Sequence, residues 1–171
     1  VAMASAPTYD PNAWVGGISG KDYTALTGKK SNYPLLNRAI QGQSAPGSTF
    51  KVVSTAAAVQ AGYPFDGHYP CTSSYSVGSQ VFKNFEGESF GPISLGRALE
   101  VSCDTVFYGL ADNEWKKDGG INPKKKPKDY FYKTAHQFGL GQETGVDLPN
   151  EVTGRVPDRT WKQNYWKANK D

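Results

Sequence analysis

The chain has 171 residues, of which 37% are hydrophobic and 20% are charged, and its formal net charge at pH 7 is +3. That length suits one domain with its own core, and the composition is typical of a globular protein and excludes a largely disordered one. The charge is too small to predict binding to nucleic acid, and no segment approaches the roughly 20 consecutive apolar residues of a membrane-spanning helix.

The two ends of the chain look interrupted. Residues 1–5 (VAMAS) predict a buried strand from the very start. A loop with two prolines follows over residues 6–12, and a short helix is predicted near residues 23–26. At the other end, residues 161–167 carry neither a helix stop nor the alternation of a strand. We therefore expect both ends to lie inside a longer domain.

A helix with marked ends is predicted over residues 48–61. Ser48 stands at the N-cap position, directly after a Pro-Gly turn, and Gly62 suits the left-handed residue that ends a helix. The helix consists of small, apolar and uncharged polar residues, with Lys51 as its single charge. This composition predicts a helix buried in the middle of the domain.

The rest of the chain predicts short elements joined by loops. They are two or three strands within residues 63–92, helices at 93–100, 105–111 and 130–138, a loop at 101–104 and a lysine-rich loop at 116–128. We expect the lysine-rich loop to be solvated and not to bind nucleic acid.

Cys71 and Cys103 are the only cysteines. Neither belongs to a CxxC pair and only two histidines could join them, so no metal site is predicted. One disulfide would require an oxidising compartment, and the sequence alone favours two free thiols.

Ser48 and Lys51 carry the first sign of chemistry. They lie three residues apart at the start of a predicted helix, so their side chains share one face and the amine can reach the hydroxyl. A serine becomes a good nucleophile when a base takes its proton, and a lysine placed in an apolar helix is destabilised as a cation and can serve as that base. The alternative is that Lys51 extends past the helix end to water.

A second polar cluster, Ser102 and Asp104, lies in the loop between two predicted helices. The hydroxyl and the carboxylate can project into one cleft and form hydrogen bonds with Lys51. The alternative is that either side chain caps a helix.

Together these segments resemble the transpeptidase domain of penicillin-binding proteins. NRA at residues 37–39, followed by PGSTFK at 46–51, is similar to the active-serine segment of that family. SCDTVFY at residues 102–108 is similar to its second motif, Ser-x-Asn, in an Asp form. Flanking segments at residues 2–12 and 138–149 are similar in the same order.

Residues 157–166 further resemble the class B, elongation-type members, often called penicillin-binding protein 2. The resemblance implies an α/β (α+β) fold of the penicillin-binding transpeptidase and serine β-lactamase type, here an N-terminal part with a largely helical subdomain and a fragment of the antiparallel sheet. It implies a peptidoglycan D,D-transpeptidase that uses no cofactor. It also implies a parent protein anchored in the bacterial cell membrane, facing the extracytoplasmic side, with the anchor outside this chain.

The resemblance assigns roles to four residues. Ser48 would attack a peptidoglycan stem peptide, or penicillin and other β-lactams, and Lys51 would be the general base. The backbone amide of Ser48 would form part of the oxyanion hole. Ser102 would relay a proton to the leaving amine. Asp104 replaces the commoner Asn, cannot donate when ionised, and would position Lys51 and Ser102. A glycosyltransferase of the cell-wall machinery is the implied protein partner.

The third motif of the family, Lys-Thr-Gly, does not occur in the sequence, since KTA at residues 133–135 lacks the glycine and falls in a predicted helix. We therefore expect residues 1–171 to be the N-terminal half of the transpeptidase domain, completed by the C-terminal half of the same protein as a separate chain. Two other functions remain open, a β-lactam sensor and a β-lactamase-like penicillin-recognising domain, and the β-lactamase would need a glutamate-activated water.

Overall fold

The computed structural model describes residues 2–169. Its helices are α1 (Gly20–Thr27), α2 (Arg38–Gln41), α3 (Lys51–Gln60), α4 (Leu95–Glu100), α5 (Asp104–Lys117), α6 (Tyr130–Gln137) and α7 (Arg159–Ala168). Its strands are β1 (Tyr69–Cys71), β2 (Ser74–Val77), β3 (Gln80–Lys83) and β4 (Gly91–Ile93). Short 3₁₀ turns lie at Pro11–Trp14, Lys29–Ser31, Gly47–Phe50 and Phe85–Gly87.

The chain divides into two compact units. The first contains the residues up to Ala45 together with Glu143–Gly154, and the second contains Pro46–Gln142 together with the residues from Arg155 onward. All four predicted site residues belong to the second unit.

Hydrogen bonds between distant segments hold the first unit together. Ser5 Oγ donates to the carbonyl of Leu36 over 3.2 Å and accepts from the amide of Arg38 over 2.9 Å. The amide of Val152 donates to the carbonyl of Ile40 over 2.8 Å. These bonds satisfy backbone groups that no regular ladder pairs.

The strand predicted over residues 1–5 is not formed. Val1 lies outside the described residues, residues 2–5 have no regular secondary structure, and Met3 is 51% exposed. A strand needs a neighbour to complete its ladder, and the sheets within residues 2–169 are built from β1 to β4. The short helix predicted near residues 23–26 is confirmed as α1.

The hydrophobic core of the second unit lies where α3, α4 and α5 meet β1. Its buried members are Ala58, Cys71, Leu95, Ala98, Cys103, Val106, Phe107 and Leu110. Full burial of a large apolar side chain contributes roughly 1.5–3 kcal/mol, so this cluster fixes the helices relative to one another. Helix α3 contacts α4, α5 and α6, which confirms its predicted central position.

Two small antiparallel sheets flank this core. Strand β1 pairs with β4, with Cys71 opposite Gly91, and β2 pairs with β3, with Ser74 opposite Lys83. Three strands lie wholly within residues 63–92, as predicted, and a fourth, β4, extends to Ile93, so the helix predicted from residue 93 begins at Leu95 instead. The expected combination of a largely helical subdomain with antiparallel sheet fragments is also found.

Helix α5 is longer than predicted. It continues past residue 111 to Lys117, because its last turns place ion pairs along the helix. Lys116 and Lys117 bind the buried carboxylates of Asp112 and Glu114 over 2.5 and 2.7 Å. The lysine-rich loop therefore begins after Lys117.

Helix α7 was not predicted. Its N-terminus is capped by Asp158, whose carboxylate accepts a hydrogen bond from the amide of Trp161 over 2.6 Å. Its first residue, Arg159, binds Asp129 over 2.9 Å and stacks on the ring of Trp115 at 4.3 Å from the centroid. None of the helices within residues 2–169 combines the length and apolar character needed to cross a membrane.

Candidate active site

Ser48 lies in the 3₁₀ turn Gly47–Phe50 that leads into α3. The prediction that Ser48 caps the helix is therefore wrong. Pro46 already has helical backbone angles and begins the turn, since the fixed φ of proline suits that position. Gly47 has a φ of +55°, a left-handed conformation that favours glycine. As a result the exposed Ser48 hydroxyl is available for side-chain contacts.

Lys51 is the first residue of α3, and only 6% of its surface is exposed. Its Nζ atom lies 2.6 Å from Oδ1 of Asp104, 2.5 Å from the carbonyl oxygen of Ser102 and 2.8 Å from Ser102 Oγ. Three oxygen acceptors therefore surround the amine of Lys51. The alternative that Lys51 extends to water is wrong, because its amine has its hydrogen-bond partners inside the protein.

Ser102 connects the other two groups. Its hydroxyl donates to Ser48 Oγ over 3.0 Å and accepts from Lys51 Nζ over 2.8 Å. A hydroxyl both donates and accepts, so the sequence of bonds from Ser48 through Ser102 to Lys51 can carry a proton in either direction. The structure thus brings the predicted nucleophile, relay and base together.

Asp104 opens α5, where the positive end of the helix dipole favours a carboxylate. Its carboxylate pairs with Lys51, and its side chain is 26% exposed. The predicted alternative, in which Ser102 or Asp104 caps the helix, is wrong for α5. The cap of α5 is the side chain of Asn84, whose Oδ1 atom accepts from the amide of Thr105 over 3.0 Å.

Ser48 borders two depressions of the second unit. The larger has a volume of about 1000 Å³, and Lys51, Phe107 and Tyr108 are among the residues that line it. The smaller has a volume of about 390 Å³ and is bordered by Ser102 and Asp104 as well as by aromatic rings. Burial raises the pKa of Tyr108, and the negative charge of Asp104 raises it further, so this phenol keeps its proton beside the site.

Cys71 and Cys103 form a disulfide. The free thiols that the sequence favoured are therefore contradicted. The fold brings the two residues together across 32 positions, with a Cα–Cα distance of 6.2 Å, and a separation of that kind is not readable from cysteine spacing. The bridge ends at the residue between Ser102 and Asp104.

Asn84 also lies near the site, and the sequence did not single it out. It is 7% exposed, and only the folded structure shows that its side chain reaches the start of α5. Across the described part of the chain, no group of three or more His, Cys, Asp or Glu side chains is placed to hold a metal. The groups that meet at Ser48 are those of nucleophilic acyl transfer.

Comparison with known proteins agrees with this geometry. Residues 1–169 match the family model of the penicillin binding protein transpeptidase domain. The peptidoglycan D,D-transpeptidase MrdA of Escherichia coli K12 is 37% identical over 173 residues, which cover 98% of this chain and 25% of that protein. The chain thus spans about a quarter of the length of this curated relative.

Solved structures show the same likeness. A chain of a peptidoglycan synthase complex, described as coordinating polymerization and crosslinking, aligns with a TM-score of 0.75 at 34% identity, over 96% of this chain and 27% of that one. The complex of penicillin-binding protein 2 with MreC from Helicobacter pylori aligns with a TM-score of 0.78 at 30% identity, over 96% and 28%. The chain therefore belongs to the penicillin-binding protein transpeptidase family.

Proposed function

We propose that the protein containing this chain is a serine D,D-transpeptidase, which cross-links peptidoglycan stem peptides through an acyl-enzyme on Ser48 and is itself acylated by penicillin. The observation that carries this proposal is the hydrogen-bonded series Ser48, Ser102 and Lys51, closed by the carboxylate of Asp104. The activity in the name of the E. coli relative supports the same reaction.

Acylation begins when Ser48 Oγ attacks the penultimate D-alanyl carbonyl of a stem peptide. The hydroxyl proton passes to Ser102, whose own proton passes to the uncharged amine of Lys51. The ammonium that forms is met by the carboxylate of Asp104 and the carbonyl of Ser102. Return of the proton through Ser102 allows the terminal D-alanine to leave as an amine.

Deacylation reverses this path. The amine of a neighbouring stem peptide attacks the ester carbonyl on Ser48 and gives up a proton through Ser102 to Lys51. We assign part of the oxyanion hole to the backbone amide of Ser48, at the start of the helical turn before α3. The reaction needs no redox or group-transfer cofactor, since the acyl group is carried as an ester on Ser48 itself.

Penicillin and other β-lactams would enter by the first half of this path. Attack of Ser48 on the strained lactam carbonyl opens the ring and leaves a stable ester. A long-lived ester separates a transpeptidase or a sensor from a β-lactamase, which hydrolyses it rapidly. Cross-linking of stem peptides by the complete protein then separates the transpeptidase from the sensor.

We further propose that the chain is the N-terminal half of its transpeptidase domain, and that the C-terminal half, as a separate chain, supplies a Lys-Thr-Gly-type strand for the substrate carboxylate and the second oxyanion donor. The proposal rests on the lack of a Lys-Thr-Gly sequence in this chain. Mass spectrometry of the purified protein tests it, because a companion polypeptide carrying that motif is expected, and its lack in an active preparation would refute the proposal.

The disulfide bears on the cellular location of the parent protein. A buried disulfide is stable in an oxidising compartment, which supports the extracytoplasmic face of the bacterial cell membrane. We propose that a segment outside this chain anchors the protein there. We also propose a glycosyltransferase of the cell-wall machinery as its partner, and the likeness to a chain of a peptidoglycan synthase complex described as coordinating polymerization and crosslinking supports this.

Labelling with a fluorescent penicillin tests the proposed function. The complete protein should form a covalent fluorescent adduct that survives denaturing electrophoresis, and Ser48→Ala should form none. Ser79→Ala is the control, because Ser79 is an exposed serine in the turn between β2 and β3. Labelling of Ser48→Ala at the wild-type rate would refute the role of Ser48.

A further inference from the structure

Ser102 has an uncommon backbone conformation. Its φ is +55°, at the end of α4, where helices most often place a glycine. The amides of Ser102 and Cys103 donate to the carbonyls of Leu99 and Ala98 over 3.2 and 2.8 Å, which closes the helix end. This conformation directs both the carbonyl and the hydroxyl of Ser102 to Lys51. A left-handed residue other than glycine persists only where its surroundings enforce it.

The Cys71–Cys103 disulfide is the first feature that restrains the backbone of Ser102. Cys103 directly follows Ser102, and both cysteines are buried, with exposures of 0% for Cys71 and 1% for Cys103. Cys71 belongs to β1 and faces Gly91 of β4 across the small sheet. The bridge therefore ties the turn that carries Ser102 to a second element of the core.

The side chain of Asn84 is the second feature that restrains the turn carrying Ser102. Its Oδ1 atom accepts from the amide of Thr105, and its Nδ2 atom donates to the carbonyls of Thr72 and Glu88 over 2.9 and 2.8 Å. The hydroxyl of Thr105 also donates to the carbonyl of Thr72 over 2.8 Å. The side chain of Asn84 thus caps α5 and links Thr72, next to Cys71, to Thr105, next to Asp104.

We propose that the disulfide and Asn84 form a positioning device for the turn at residues 102–104, and that loss of the disulfide slows acylation of Ser48. Neither group touches the reacting atoms. Both act by holding Ser102 between Ser48 and Lys51, where a displacement of about 1 Å can lower a rate by about 10²-fold. The inference rests on the proposed function of Ser48.

The disulfide also makes the site sensitive to reduction. A dithiol adds two electrons and two protons to the bridge, which becomes two thiols, while the dithiol closes to its own disulfide. Because the bridge is buried, reduction requires local opening of β1 and the turn. A compartment or a reagent that supplies a dithiol would therefore lower the acylation rate of this protein.

The test compares acylation kinetics of the complete protein with those of Cys71→Ala/Cys103→Ala and of Asn84→Asp. Asn84→Asp retains the acceptor for Thr105 but loses both donated bonds. For each variant, stopped-flow with a fluorescent penicillin separates the acylation rate constant from the dissociation constant of the noncovalent complex. We expect rate constants lower by about 10- to 100-fold with an unchanged dissociation constant.

Tyr63→Phe is the matched control for lost stability. It removes the 2.8 Å bond from Tyr63 to Glu114, near the other end of α5, and should acylate at the wild-type rate. An equal loss of rate in this control would mean general destabilisation and would overturn the inference. Wild-type acylation rates in a folded Cys71→Ala/Cys103→Ala variant would also overturn the inference. If that variant does not fold, wild-type rates in Asn84→Asp would overturn it. If wild type itself forms no adduct, the proposed function fails first.

Discussion

Ser102 places its hydroxyl 3.0 Å from the hydroxyl of Ser48, although 54 residues separate them in the chain. That contact exists because the turn between α4 and α5 lies against the start of α3. The side-chain hydroxyl of the nucleophile is thus hydrogen-bonded to Ser102, and Lys51 meets Ser102 on its other side.

Replacement of Ser102 by alanine should interrupt proton transfer from Ser48. We expect Ser102→Ala to lower the acylation rate constant for penicillin by about 10²–10⁴-fold, the usual contribution of general acid–base catalysis. Noncovalent binding should change little. Stopped-flow fluorescence measures both quantities. Ser79→Ala, in the exposed turn between β2 and β3, is the control, and wild-type acylation by Ser102→Ala would exclude the relay.

Replacement of Lys51 by arginine separates its charge from its basicity. Arginine can keep an ion pair with Asp104 but cannot accept a proton in a protein. We expect Lys51→Arg to lose acylation by about 10³-fold or more between pH 6 and pH 10, in line with removal of a catalytic base. Labelling with fluorescent penicillin across that range measures this. Labelling near the wild-type rate at pH 7 would show that the cation at this position is sufficient.

Asp104 should act by positioning its neighbours. Asp104→Asn retains an oxygen acceptor for Lys51 and should still be acylated by penicillin, whereas Asp104→Leu leaves the ammonium without that acceptor. We expect at least about a 10²-fold slower acylation of the leucine variant. Gel-based labelling over time distinguishes the two. Equal labelling of both variants would remove Asp104 from the mechanism.

A pH-dependent contribution to stability should come from Asp112. Burial raises the pKa of its carboxyl, but hydrogen bonds from Lys116 and Tyr75 outweigh that effect and lower the pKa below 3.8. A lowered folded-state pKa means that this stability is present above the unfolded value and is lost as pH falls through the folded one. We expect Asp112→Asn to cost about 1–2 kcal/mol at pH 7.

Denaturant unfolding of wild type and Asp112→Asn at pH 7 and pH 3 measures this effect. The difference between the two proteins should shrink at pH 3, because this lies below the unfolded pKa of Asp112, so the unfolded wild-type chain binds a proton there more readily than the folded carboxylate does. A constant difference across that range would show that the ion pair with Lys116 contributes nothing. Asp147→Asn is a matched control, because Asp147 is exposed.

The local part of the site could be predicted from the sequence. The spacing of Ser48 and Lys51 along a helix sets their common face, and the apolar composition of that helix predicts the burial of Lys51. Marked helix ends, such as Gly62 with its φ of +94°, were also readable. These features depend on neighbours in the chain, so local patterns are sufficient for them.

The remaining features depend on distant contacts. The N-cap expected at Ser48 gave way to a turn begun by Pro46, and the hydroxyl that is left available is bound by Ser102, 54 residues further along the chain. The Cys71–Cys103 bridge and the contacts of Asn84 arise only when β1 and α5 pack together. Asp158 is a typical N-cap residue and could have predicted the start of helix α7. The aromatic and polar residues after Asp158 show no clear helical pattern, so the helix was missed.

The most direct test of the central claim is to locate the penicillin adduct by peptide mass spectrometry. The complete protein is treated with penicillin, digested and sequenced by fragmentation. We predict one modified residue, Ser48, and no adduct in Ser48→Ala. Attachment to any other serine, such as Ser44 or Ser54, or an unmodified Ser48 in a folded protein, would contradict the account.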